Sequence, residues 1–176
     1  MQIISRIVGI DTQVQRWLDR QQYPALLTKF MRCLSLAGSE GLIWFILSGW
    51  LSFRLQRFDP VLLLGMAELV QFAVVGLGLK MAVKRQRPHA DREQILFYLK
   101  LDEYAFPSGH AASSFAALPV LAFFAPELTV GLAGLAGVVS ISRLYLGRHY
   151  VSDIGAGICI GYAIGWICLR IYLQIV

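Results

Sequence analysis

The sequence predicts an all-α protein, a polytopic membrane helix bundle of about five to six transmembrane helices with an amphipathic N-terminal helix. Of its 176 residues, 57% are apolar and 15% charged, whereas soluble domains have about 45–50% and roughly 25%. The mean hydropathy is +0.60, and the apolar residues form runs approaching the roughly 20 residues of a bilayer crossing. This composition excludes a disordered chain. We expect residues 1–176 to form a single membrane-embedded domain, because the spans leave no room for a soluble one.

The first 38 residues predict an amphipathic segment at the membrane surface. Apolar residues recur at helical spacing between Ile3 and Leu18, and charged residues such as Asp11 interrupt them. A helix with one apolar and one polar face lies in the headgroup region. A second piece of the same kind covers residues 23–34, so the whole segment is expected to lie along the membrane and not across it.

Five apolar segments follow as expected spans, at residues 41–53, 61–79, 108–126, 128–142 and 149–172. Two crossings separate the polar segments 80–107 and 143–148, so both should emerge on one membrane face. Glu68 and Gln71 lie within the second span, where an ionisable residue is a candidate for function. They are expected either to shape a substrate groove or to bond to a neighbouring helix.

Two stripes of small residues predict close helix packing. They are Gly131, Gly134 and Gly137 in the fourth span, and Gly157, Gly161 and Gly165 in the fifth. We interpret them as packing faces inside the bundle, and a homodimer face is the alternative.

The first polar cluster ends the second span. Lys80 and Arg87 are seven residues apart and share a face if the helix persists to Arg87, after which Pro88 should end it. Two fixed cations suit a phosphate group, although a basic cluster that only anchors the helix is the alternative. The other basic residues of this segment are expected to meet solvent or lipid phosphates: Lys84, Arg85, His89 and Arg92.

The second cluster, Pro107-Ser108-Gly109-His110, directly precedes an apolar helix. Ser108 can cap this helix, and the free N–H groups of Gly109 and His110 would then form an anion site. A histidine here is by itself as compatible with a structural role as with catalysis. Joined to Pro-Ser-Gly, it indicates a functional site.

The third cluster contains Ser142, Arg143, His149 and Asp153. His149 and Asp153 are four residues apart, so on a helix they lie within hydrogen-bond reach. A carboxylate on one imidazole nitrogen fixes the tautomer and leaves the other nitrogen free to attack or bind protons. A structural His–Asp pair is the alternative.

Together the three clusters resemble the signature of the type 2 phosphatidic acid phosphatase superfamily. That signature is a Lys followed after six residues by Arg-Pro, then Pro-Ser-Gly-His, then Ser-Arg with a later His and Asp, and the chain matches its order and spacing. The apolar helices resemble the integral-membrane lipid phosphate phosphatase branch. The resemblance implies hydrolysis of a phosphate or diphosphate ester of a membrane lipid.

By this resemblance, His149 is the nucleophile that takes the phosphoryl group, Asp153 orients it, and His110 is the general acid that protonates the leaving oxygen. The implied phosphate-binding residues are Lys80, Arg87, Ser108, Gly109 and Arg143. Fixed cations and helix N–H donors can supply the charge stabilisation that magnesium supplies elsewhere. No metal and no cofactor are therefore expected.

The expected partners are the lipid bilayer and a lipid phosphate, with no nucleic acid. Undecaprenyl diphosphate, phosphatidylglycerophosphate, phosphatidic acid and lipid A phosphates are the candidate substrates by analogy. A lipid phosphotransferase and a non-catalytic transporter or binder of anionic lipid are the alternative functions. The distribution of basic residues favours a cytoplasmic active site, whereas similarity to bacterial members favours the outer, periplasmic face of the cytoplasmic membrane, which we expect.

Overall fold

The computed structural model describes residues 2–88 and 104–176, apart from the side chains of residues 2–4 and 40. Every regular element in these ranges is helical, which confirms the predicted all-α class. Short 3₁₀ turns at Ser39–Gly41 and Pro126–Leu128 connect some of the longer helices. Those helices are α1 (Gln2–Asp19), α2 (Ala25–Ala37), α3 (Leu42–Leu55), α4 (Asp59–Val83), α5 (Gly109–Phe124), α6 (Thr129–Tyr145) and α7 (Val151–Ile175).

Within the described ranges, three helical segments are long and apolar enough to cross a bilayer. They are α4, the segment Pro126–Tyr145 that contains α6, and α7. Helices α2 and α3 meet at 62° and would together make a fourth, while α5 is apolar but has only 16 residues. A polytopic membrane helix bundle is therefore confirmed, and the larger number of five to six spans stays a prediction.

Helix α1 turns polar side chains towards the bundle and apolar side chains outwards. Asp11 and Gln15 are buried, whereas Ile10 and Trp17 are exposed, Trp17 to 60%. An outward apolar face is expected of a helix that contacts lipid along its side. The predicted amphipathic N-terminal segment is thus present, and its two predicted pieces form the helices α1 and α2.

Helix α5 occupies the centre of the bundle and packs against α4, α6 and α7. Its small side chains let α7 approach closely: a Cβ added to Gly161 would lie 2.0 Å from the carbonyl oxygen of Ala112. A Cβ on Gly165 would lie 2.2 Å from the carbonyl oxygen of Ala116. The predicted packing of the α7 glycine stripe inside the bundle is therefore confirmed.

The same prediction is wrong for the glycine stripe of α6. A Cβ added to Gly131, Gly134 or Gly137 would meet no atom of the described chain within 4 Å. The reason is that α6 packs on α5 through another side, where Leu132, Ala136 and Val139 are buried. A homodimer stays a prediction.

Replacing Gly161 by Ala is expected to destabilise the bundle by about 1–3 kcal/mol, the usual range for overpacking a tight interface. The added Cβ would collide with backbone, and backbone cannot move aside as a flexible side chain can. Equilibrium unfolding in detergent micelles measures the change. Gly134→Ala on α6 is the matched control and should leave the free energy of unfolding unchanged or slightly raised, since Ala favours helix. Equal stability of the two variants would contradict the packing described here.

Polar contacts also hold α5 in place. The hydroxyl of Ser113 donates to Glu68 Oε1 of α4 at 2.8 Å, and the buried Trp44 of α3 donates through its indole N–H to the hydroxyl of Ser114 at 3.2 Å. Of the two roles expected for Glu68, the bond to a neighbouring helix is therefore observed. These contacts fix the start of α5, which belongs to the candidate site.

Candidate active site

The three polar clusters meet at one end of the bundle. The N–H of Ala105 donates to the carbonyl of Arg85 at 2.7 Å, which joins the end of α4 to the segment before α5. The N–H of Ser108 donates to the carbonyl of Asp153 at 3.0 Å, and His149 Nδ1 lies 2.7 Å from the carbonyl oxygen of Ala105. The described parts of the two polar segments, residues 80–88, 104–107 and 143–148, therefore lie at the same end of the bundle, as predicted.

The first cluster follows the end of α4. Residues 72–79 form π-helical turns that lead into Lys80. The helix then ends at Val83, because Lys84 adopts a left-handed conformation (φ 49°) and its N–H caps the carbonyl of Lys80. The helix therefore does not persist to Arg87, so the condition for a shared helical face is not met, and the prediction that Pro88 ends the helix is wrong. Both predicted cations are nevertheless buried, each only 7% exposed.

The third cluster extends from the last turn of α6, through the turn that follows it, to the first turn of α7. Gly147 has a φ of 65°, a left-handed conformation that glycine adopts without steric cost. This turn lets the N–H of Arg148 bond the carbonyl of Arg143 at 3.0 Å and brings His149 back towards the bundle. Both arginine side chains are buried. No sequence pattern singled out Arg148, since it lies at a variable position of the motif.

His149 is held in one tautomer inside a positively charged site. Its ring is 1% exposed, and because a carbonyl can only accept, Nδ1 donates to Ala105 and carries the proton. Burial, and then the positive charges of Arg143, Arg87 and Lys80, lower the pKa of His149 well below its usual value. The imidazole is therefore neutral at neutral pH, with its lone pair on Nε2.

Asp153 does not bond to His149, so the predicted direct pair is wrong. Asp153 Oδ1 accepts from Arg85 Nη1 at 2.7 Å, and Oδ2 accepts from the N–H of Tyr150 at 2.8 Å. The reason is that α7 begins only at Val151, so that His149 precedes the helix and the four-residue helical spacing does not apply to it. A backbone carbonyl takes the orienting position instead, and Asp153 holds the turn.

The second cluster begins α5 as the sequence predicts. Ser108 is fully buried and its hydroxyl accepts from the N–H of Ala111 at 3.5 Å, while the helix starts at Gly109. A Cβ added to Gly109 would lie 3.8 Å from Lys80 Nζ. The cap is therefore confirmed, and it places the first helical N–H groups beside the Lys80 ammonium.

His110 faces helix α2 through Nε2. This atom lies 3.1 Å from the carbonyl oxygen of Ser35 and 3.3 Å from the hydroxyl of Ser39. Ser39 donates its own hydroxyl proton to the Ser35 carbonyl, so both neighbours act as acceptors towards His110. Nε2 of His110 therefore carries a proton.

Ser35 is a site residue that sequence reasoning missed. Its side chain is buried and accepts a hydrogen bond from Arg143 Nη1, while its carbonyl faces His110. Helix α2 thus reaches the site, although no pattern distinguishes this serine within an amphipathic segment.

The two imidazoles have their protons on opposite nitrogens. His149 has its lone pair on Nε2, as a nucleophile requires, whereas the Nε2 proton of His110 is directed at the Ser35 carbonyl and the Ser39 hydroxyl. In the described ranges, no three His, Cys, Asp or Glu side chains are arranged to hold one metal ion. His89 and Arg92, expected to meet solvent or lipid, lie outside the described residues.

Comparison with known proteins relates this site to a family. The PAP2 superfamily model matches residues 59–176, which include all three clusters. Probable lipid phosphate phosphatase beta of Arabidopsis thaliana is 30% identical over 95% of this chain and 91% of its own length. Decaprenylphosphoryl-5-phosphoribose phosphatase of Mycobacterium tuberculosis is 33% identical over 76% of this chain and 74% of its own length.

A solved structure has the same fold. It is that of a transmembrane PAP2 type phosphatidylglycerolphosphate phosphatase from Bacillus subtilis, with a TM-score of 0.73 and 22% sequence identity. The match covers 97% of this chain and 88% of that one.

Proposed function

This chain belongs to the PAP2 superfamily, and from that premise we propose that it is an integral-membrane phosphatase that hydrolyses a phosphate or diphosphate ester of a membrane lipid. The observation that carries the proposal is the environment of His149. Its neutral imidazole is buried at the point where the charges of Lys80, Arg87 and Arg143 act together. A phosphoryl anion would neutralise these charges, and the lone pair beside it could attack phosphorus.

The proposed reaction has two steps. His149 Nε2 attacks phosphorus, the bond from phosphorus to the lipid oxygen breaks, and this oxygen takes a proton from the imidazolium form of His110, which becomes neutral. Water then attacks the phosphohistidine and gives its proton to His110, and the phosphorus–nitrogen bond breaks to release phosphate. Lys80, Arg87 and Arg143 would hold the non-bridging oxygens, with Ser108 and Gly109 at the helix start beside them. Phosphoryl transfer depends mainly on such positioning and charge stabilisation.

The proposed substrate is a lipid whose tail stays in the bilayer while its phosphate reaches the site. The outward apolar face of α1 supports a site at the lipid surface, since Ile10 and Trp17 are exposed there. Undecaprenyl diphosphate, phosphatidylglycerophosphate and phosphatidic acid are the substrates to test first. We place the site on the outer face of the cytoplasmic membrane, by analogy with bacterial members.

Phosphate release from a panel of lipid phosphates tests this proposal. The purified protein is assayed in mixed micelles with each lipid, with and without EDTA, and with labelled phosphate to follow transfer. Release into water that EDTA does not change supports a metal-independent hydrolase. Strict dependence on magnesium would contradict the metal-free mechanism. Label passing to a second lipid would indicate the phosphotransferase, and binding without release the transporter or binder.

The pH profile of kcat/KM should reveal the charges around His149. Their effect appears in its acid limb, the range in which activity falls as the pH is lowered. Since burial and then the neighbouring cations lower its pKa, His149 should stay neutral, and the enzyme active, below pH 6.5, the ordinary pKa of histidine. In Lys80→Met one of these charges is lost, so the pKa of His149 rises and the limb moves to higher pH.

Lys84→Met is the matched control, because Lys84 is exposed and is not among the charges acting on His149. The second pKa of the substrate phosphate, about 6, contributes equally in all variants. An acid limb at the same pH in Lys80→Met and Lys84→Met would contradict the proposed electrostatics.

A further inference from the structure

A partly buried ion pair, in which the carboxylates are buried and Arg85 is partly exposed, joins the N-terminal helix α1 to the start of α7. Asp11 is 2% exposed and accepts from Arg85 Nη2 at 2.7 Å. It also accepts from the N–H of Ser152 at 3.0 Å and from its hydroxyl at 2.5 Å. Arg85 donates through Nη1 to Asp153 and to the Ser152 hydroxyl, each at 2.7 Å. One guanidinium thus links two carboxylates on two helices.

This ion pair reaches the imidazole of His149 along two routes. The guanidinium of Arg85 lies 4.2 Å from the ring centroid of Tyr150, the residue after His149, and Asp153 accepts from the Tyr150 N–H. On the other route, the carbonyl of Arg85 accepts from the N–H of Ala105, and the carbonyl of Ala105 accepts from His149 Nδ1. Arg85 therefore supports both the backbone beside His149 and the group that orients its ring.

The charges of this network depend on one another. Burial by itself would raise the pKa of Asp11, but the hydrogen bonds from Ser152 and Arg85 outweigh it, so the pKa lies below its usual value. The carboxylate is therefore ionised at neutral pH. A planar guanidinium can donate to two carboxylates at once, which a lysine ammonium does with less geometric precision. Neither Asp11 nor Arg85 occupies a defined position of the family signature, and the expectation that Arg85 meets solvent or lipid is wrong.

We propose that Asp11 and Arg85 are positioning residues for His149, and that helix α1 is thereby a working part of the active site. The inference rests on the proposed function. Asp11→Asn removes the charge that holds Arg85 while leaving every proposed phosphate-binding residue in place. Small displacements of a reacting group can reduce the rate about 10²-fold, so we expect kcat to fall about 10- to 100-fold with KM nearly unchanged.

The test compares Asp11→Asn, Arg85→Gln and the double variant. The single-turnover rate constant at saturating enzyme is measured on the best lipid substrate, because it does not depend on the fraction of folded protein. If both residues act through one contact, the double variant should be little slower than the slower single variant. Asp19→Asn on the same helix and Lys84→Gln beside Arg85 are the matched controls, since both residues are exposed, and both variants should keep the wild-type rate constant.

A rate constant for Asp11→Asn equal to that of Asp19→Asn would overturn the proposal, as would fully additive losses. Amide hydrogen exchange gives a readout independent of activity: exchange in residues 147–153 should become faster in Asp11→Asn and Arg85→Gln, but not in Asp19→Asn. If the wild type released no phosphate from any lipid, the proposed function would fail. Exchange would then decide the structural claim, and unchanged exchange in both variants would refute it.

Discussion

His149→Ala is expected to reduce phosphate release by about 10⁴-fold or more, as removal of a nucleophile does in enzymes with a covalent intermediate. The cations around the site remain in this variant, so KM should change only a few-fold. The loss should appear in kcat, because no other group in the described site offers an oriented lone pair beside Lys80, Arg87 and Arg143. Initial rates on the best lipid of the panel measure it.

His89→Ala is the matched control. It makes the same substitution at a histidine outside the three clusters, and it should retain wild-type activity. Thermal unfolding in detergent shows whether the His149 variant is folded. A folded His149→Ala protein that kept more than about 1% of wild-type activity, a loss far smaller than nucleophile removal causes, would contradict the assignment of the nucleophile.

Arg143→Met should lower kcat/KM by about 10²–10³-fold, the usual effect of removing one preorganised donor to a charged transition state. Arg143 is buried, its charge acts on His149, and its Nη1 donates to the Ser35 hydroxyl, so the guanidinium is held in place before substrate arrives. Arg143→Lys should recover only part of the activity, because an ammonium lacks the planar fork. Steady-state kinetics on the same lipid measures both variants.

Arg54→Met is the control for loss of one positive charge. Arg54 lies at the C-terminal end of α3 with its side chain 56% exposed, near Glu127 of the turn before α6. If Arg143→Met and Arg54→Met had equal kcat/KM, the cations would act only through the net charge of the protein. The proposed binding of the phosphate oxygens by Arg143 would then be wrong.

Much of the site could be predicted because its proposed catalytic and phosphate-binding residues are particular residue types at fixed spacing in the sequence. Composition predicted the membrane bundle, and the two crossings between polar segments predicted that Lys80 and Arg143 would emerge together. Ser108 followed from the preference of serine for helix N-caps. These features depend on local sequence and on the number of crossings, which a single chain displays directly.

The rest could not be predicted because it depends on where helices begin and end. His149 precedes α7 by two residues, so helical spacing gave Asp153 the wrong partner. Arg87 reaches the site from non-helical backbone, because Lys84 ends the preceding helix. Ser35 and Asp11 contact residues 108 and 141 positions away, and no pattern in an amphipathic segment distinguishes them from other polar residues.

Trapping of the phosphoryl group tests the central claim most directly. The protein is mixed briefly with a lipid labelled with ³²P in the phosphate, quenched in alkali, which preserves phosphohistidine, and digested for peptide mapping. We expect the label on the peptide that contains His149, lost on brief treatment with acid, and absent from His149→Ala. Label on another residue, or hydrolysis of the lipid by His149→Ala at the wild-type rate, would contradict nucleophilic catalysis by His149.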